Sequence, residues 1–224
     1  MDKSHTKTFF KLVVMRVLDI LNEHDEHTSL GGTCKVALKL RQLGYRKGSY
    51  PFDWIVINTD TIIQLIDNKF VGWTDKENMK HCRGEWYENI KYNTGHKHEF
   101  KEATEDRGDH LYEFTNDSDF ANWQDEKTRR ATRFMELLES DKKVLFIRRS
   151  RMARTGGGYI PRRLDPVEEL RASRNFNEYM EGKYPNLDFN TLFINTGSFQ
   201  FTNWITHPKL LCVSEYQWNS YSLG

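Results

Sequence analysis

The sequence predicts an α+β protein built as one domain. Three observations carry this reading: amphipathic helical stretches, short apolar runs of strand length, and a length that leaves room for one core. At 224 residues the chain sits slightly above the usual ~100–200 residues of a domain. It supplies 6 Trp, 10 Tyr and 14 Phe for burial, which argues against disorder. The domain is read as 1–224, with an N-terminal helix at about 8–22 and a flexible Arg/Gly-rich loop at about 151–163.

The first element is that helix, where Leu18 and Leu21 continue an amphipathic pattern begun at Phe9 and Phe10. Its apolar run is broken by Lys11 and followed by Arg16 and Asp19, so it falls short of a membrane span and lacks the cleavage site of a secretory leader. A second helix is expected over 35–43 from Val36, Ala37, Leu40 and Leu43, with Thr33 placed to cap its start and Gly44 to end it. A third is expected from Tyr50 to Asn68. Short β-prone pieces follow near Trp86–Tyr92, His96–Lys101 and His110–Phe114, the last two read as a hairpin turning at 105–108. A long helix is expected at 119–138, a buried strand at 143–147, a helix at 166–180 and a strand at 191–195. The Trp- and Tyr-rich tail is expected to return to the sheet.

Charge excludes some functions. Thirty-three Lys and Arg oppose 32 Asp and Glu, so no bulk charge draws the chain to nucleic acid or anionic membranes. The local exception is Arg148–Arg149–Ser150–Arg151, continued by Arg154, Arg162 and Arg163, which suits an anionic partner rather than nucleic acid. Gly156–Gly158 lacks the Lys-Ser/Thr ending of a phosphate-binding loop. Three widely spaced cysteines, Cys34, Cys82 and Cys212, make no disulfide framework, and a cytoplasmic or otherwise intracellular location follows as the expectation.

Cys34 is the sharpest chemical feature. Placed at the start of a helix, its thiolate would be stabilised by the helix amides and dipole. Gly31 and Gly32 would let the backbone approach a substrate carbonyl, and amides at Gly32 and Thr33 could form an oxyanion hole. The bland alternative is a small buried residue after a tight turn. A nucleophilic thiol needs a histidine, for which His81, His96, His98 and His110 are candidates. His24 and His27 lie in polar sequence read as exposed, and His207 stands apart in the tail. His81, Cys82, His96 and His98 also permit a zinc reading, but no CxxC or HxxxH companion supports it, so neither metal nor organic cofactor is expected.

Ser29–Leu30–Gly31–Gly32–Thr33–Cys34, Ser49–Tyr50–Pro51–Phe52–Asp53–Trp54, His98–Glu99–Phe100, Arg130 to Phe134 and Leu145–Phe146–Ile147–Arg148 occur in that order. Together they resemble a poorly characterised family of papain-like cysteine peptidases, with a pattern SLGxxC, YPFDW, HDF, RxxRF and LFIR. Glu99 stands where that family usually has Asp. The resemblance implies a papain-like α+β fold, with the Cys-bearing helix packed on a central antiparallel sheet. It also implies a protein or peptide substrate, Cys34 as nucleophile and His98 as general base. The third catalytic group, from the papain-like order of Cys, His and then a polar residue, would be Asp109, with Asp53 as its rival. An amidase or acyltransferase would use the same groups, and a catalytically silent binding protein acting through the Arg-rich loop is the alternative from another class.

Overall fold

The computed structural model describes residues 17–83, 86–97, 117–150, 166–196 and 207–219. Helical residues 17–22, called α1 here, lead into strand β1 (Glu26–Ser29) and helix α2 (Lys35–Gln42). Then come β2 (Ile55–Val56), α3 (Thr59–Asp67), β3 (Met79–Arg83), β4 (Trp86–Asn89) and β5 (Thr94–Lys97). The second half holds α4 (Asp117–Leu138), β6 (Val144–Arg149), α5 (Pro166–Lys183), β7 (Phe189–Asn195), β8 (Leu210–Ser214) and α6 (Glu215–Asn219).

Helices and sheets combine in the expected α+β class, but the strands divide into two sheets of opposite character. Strands β2-β5-β4-β3 form an antiparallel sheet, whereas β1-β6-β7-β8 form a sheet in which every pair runs parallel. The Cys-bearing helix α2 follows β1 and packs on the parallel sheet, not on the antiparallel one. The physical reason lies in β6 and β7. Their runs Val144–Ile147 and Leu192–Ile194 are apolar at every position, as a strand covered by helices on both faces requires.

Leu145, Ile147, Leu192 and Ile194 meet Val17 and Leu21 of α1, Val36 and Leu40 of α2 and Trp218 of α6. Val144, Phe146 and Phe189 belong to the opposite core, with Ile62 and Leu65 of α3, Phe134 and Leu137 of α4, and Phe176 and Met180 of α5. That arrangement places α2 and its leading turn at the C-terminal edge of the parallel strands, where α/β sheets present their functional loops.

Two expected elements change. The stretch 50–68 is not one helix: a turn at 51–54 precedes β2, and α3 starts only after Asn58, which is extended. Asp53 closes the turn by accepting the Tyr50 N–H (3.1 Å), and β-branched Ile55 and Val56 suit a strand. Of the strand expected at 96–101, residues 96 and 97 end β5, which starts at Thr94 and pairs with β4 and β2, while 98–101 and the expected hairpin partner at 110–114 lie outside the described residues. The tail does return to the sheet as β8.

Candidate functional site

Strand β1 ends at Ser29 and the chain reverses through Leu30–Thr33 into α2. Gly31 and Gly32 have φ +72° and +90°, conformations that L side chains rarely adopt. Space reinforces the requirement. A Cβ on Gly31 would lie 2.4 Å from Ile57 Cγ2, and one on Gly32 would lie 2.7 Å from the Arg149 carbonyl oxygen. The turn is therefore wedged between the β2 segment and the end of β6. Cys34 is the residue immediately before α2, and it is exposed. Thr33 sits one position too early to be the N-cap, yet its Oγ1 accepts a long 3.4 Å bond from the Lys35 N–H.

The histidines separate sharply. His98, Asp109 and His110 lie outside the described residues, as do the side chains of His81 and Cys82. His96 is fully buried, its Nε2 3.0 Å from Thr94 Oγ1 and its ring 6.1 Å from that of Trp73 and 5.8 Å from that of Trp123. It is a core residue. His24 and His27, read from sequence as exposed, are buried: His24 bonds the Ile20 carbonyl (2.6 Å), and His27 Nε2 donates to the Leu21 carbonyl (2.8 Å). Burial pushes the pKa of His27 below its ordinary value.

Asp53 is committed elsewhere. Its Oδ2 accepts from Arg46 Nη2 (2.7 Å), Arg46 Nε (3.2 Å) and the Tyr50 N–H (3.1 Å), which makes it the brace of the turn after α2. Burial nonetheless raises its pKa, because desolvation outweighs the Arg46 attraction.

The basic cluster is corrected in part. Arg148 and Arg149 are not a solvated contact surface for an anionic partner but buried groups with carboxylate partners. Arg148 pairs with Glu169 of α5, both side chains without solvent exposure, and Arg149 pairs with Glu215 of α6. The sequence held the signal for Arg148: alternation along β6 puts Val144, Phe146 and Arg148 on one face, already apolar at its first two positions. Residues 151–163 lie outside the described residues. Among the described residues no group of three His, Cys, Asp or Glu could hold a metal, and no helix is long and apolar enough to cross a membrane. A cavity of about 450 Å³ lined by Glu26, Lys47, Tyr50, Arg133 and Lys142 lies at the start of β1, the far end from the Cys34 turn.

Residues 25–198 match the sequence model of a family described as "Putative papain-like cysteine peptidase". The uncharacterized protein R408 of Acanthamoeba polyphaga mimivirus is 30% identical over 141 residues, covering 54% of this chain and 59% of that protein. The chain thus spans less than two thirds of that relative's length. No solved structure gives a significant match. With the match running from just before β1, through the Cys34 turn, to just beyond β7, this chain belongs to the "putative papain-like cysteine peptidase" family.

Proposed function

We propose that the protein is a thiol-dependent hydrolase that cleaves a peptide or isopeptide bond in a protein or peptide substrate. The observation that carries this reading is the placement of Cys34: exposed, directly before a helix, after a double-glycine turn at the C-terminal edge of a parallel sheet. A buried cysteine would have favoured the silent alternative. The antiparallel sheet supports His98 as the partner. Gly31 lies against β2, β2 pairs with β5 through Ile55 and His96, and His98 follows Lys97, the last residue of β5, in the sequence.

In the proposed reaction His98 takes the thiol proton and Cys34 Sγ attacks the carbonyl carbon. Backbone amides at Gly32 and Thr33 stabilise the oxyanion. The C–N bond breaks as His98 returns the proton to the leaving amine, leaving a thioester. His98 then deprotonates a water, whose oxygen displaces Sγ to give the carboxylic acid product. Asp109 would orient the imidazole.

The test is covalent capture by a peptide bearing a thiol-directed electrophile, followed by mass spectrometry. Capture at Cys34 that is abolished by His98→Ala supports the reading. Capture at Cys82 or Cys212, or undiminished capture in His98→Ala, refutes it.

A further inference from the structure

We propose that Arg148 is the positioning residue of the Cys34 turn, a buried clamp that fixes the peptide leading to the nucleophile and ties it to the antiparallel sheet. This rests on the assignment of Cys34 as nucleophile for its catalytic meaning, but the clamp itself is a matter of hydrogen bonds.

The guanidinium is divided between two tasks. Nε and Nη2 donate to the Glu169 carboxylate (2.9 Å to Oε2 from Nε; 2.7 Å to Oε2 and 3.0 Å to Oε1 from Nη2), a forked arrangement in which each oxygen is engaged. Nη1 donates to the carbonyls of Leu30 (2.8 Å) and Ile57 (2.9 Å). One side chain therefore joins four segments: the end of β6, the turn after β1, the segment after β2 and the first turn of α5. Leu30 is four residues before Cys34, and the group also lines the space beside Gly32, where an added Cβ would lie 3.5 Å from Nη1.

A pair with no exposure on either side is costly to desolvate, and apolar replacements are often as stable or more so. The rest of this face of β6 is apolar, so a third apolar side chain would have served packing. What Leu, Met or Phe could not supply is a donor to the Leu30 and Ile57 carbonyls at once. Rotation of the Leu30–Gly31 peptide, open to glycine-rich backbone, would break the Leu30 bond. Because Glu169 balances its charge, Arg148 acts on the geometry of the thiol and its surrounding amides and not on the local field.

The test compares wild type with Arg148→Lys and with the double variant Arg148→Met/Glu169→Leu, which removes both charges together. Three readouts are taken: thermal midpoint, hydrogen exchange of a peptide covering 30–36, and the ratio of capture rates for a peptide electrophile and for iodoacetamide. Iodoacetamide needs only an accessible thiol, whereas the peptide electrophile needs the thiol and amides aligned. The expected result is exchange at 30–36 at least tenfold faster, and a capture ratio at least tenfold lower, in both variants.

Wild-type exchange and a wild-type ratio in a folded variant would overturn the clamp and leave an ordinary core pair. If the double variant does not fold, Arg148→Lys decides by the same two readouts, since it keeps the charge but loses the fork. If wild-type Cys34 is not captured at all, the hydrolase reading fails, and the exchange measurement still decides the clamp.

Discussion

Replacing Gly32 by alanine is expected to destabilise the protein far more than the same change at Gly44. Both glycines have positive φ, +90° and +77°. An added Cβ at Gly44 would meet nothing within 4 Å, whereas at Gly32 it would lie 2.7 Å from the Arg149 carbonyl oxygen. Placing a Cβ in the left-handed region costs about 1–2 kcal/mol at either position. At Gly32 the overlap adds about 1–3 kcal/mol, the range for overpacking a fixed core. The carbonyl has little room to yield, because β6 is hydrogen-bonded to β7 up to Arg149 and Ile194, and Arg149 is itself buried. The sum is about 2–5 kcal/mol, which at about 2–4 °C per kcal/mol for a chain of this size lowers the midpoint by about 4–20 °C. Gly44→Ala should lower it by only about 2–8 °C on the same scale. The entropy lost from the unfolded chain on replacing glycine is common to both and cancels in the comparison. Reversible thermal unfolding followed by circular dichroism measures the difference. Midpoints of the two variants within 2 °C of each other, on a scale where about 1 kcal/mol moves the midpoint 2–4 °C, would refute the argument that the turn is wedged against β6.

Partial alkylation of the native protein at pH 8 should label exposed Cys34 well before Cys212, whose thiol burial pushes up to about 12; mass spectrometry showing equal labelling would contradict this. His96→Ala should lower the thermal midpoint by emptying the space between Trp73 and Trp123, while leaving Cys34 as reactive toward iodoacetamide; an unchanged midpoint would show that His96 is not a core residue. Acidification should destabilise the fold through His27. Its folded pKa lies below the unfolded 6.5, so its contribution is present above 6.5 and is lost as the unfolded chain takes up a proton the native state refuses. Denaturant titrations at pH 7.5 and 5.5 should therefore show a smaller difference for His27→Gln than for wild type; an equal difference would count against it.

Legibility in the sequence tracked how local the determining physics was. Helices α2, α4 and α5 and strands β6 and β7 were visible because their apolar spacing is written within a few residues, with Gly44 after α2 and Pro166 opening α5 as further local marks. The Cys34 turn was visible for the same reason: a double glycine before a helix implies a backbone that side chains would obstruct. Strand direction was not visible, because it depends on which strands are neighbours, and β1 pairs with a strand more than a hundred residues away. The burial of His24 and His27 was hidden by their polar sequence neighbours, since α1 and β7, not adjacent residues, supply their partners. Arg148 and Arg149 read as a surface patch because their carboxylates, Glu169 and Glu215, sit on helices that only the folded sheet brings close.

The parallel pairing of β1 with β6 sets an order of assembly. Ser29 lies opposite Ile147, and Leu30 is held by Arg148, 118 residues later, whose own carboxylate partner comes later still. A chain emerging from the ribosome thus exposes Cys34 long before β6, the strand that shapes its turn, has been made. Contacts of such separation form late, after the loop-closure entropy has been overcome. Until then the thiol is a cysteine in an unshaped glycine-rich segment, without the neighbours that would align it against a carbonyl. On the proposed role of Cys34, the fold itself would therefore withhold an aligned thiol until synthesis has passed α5.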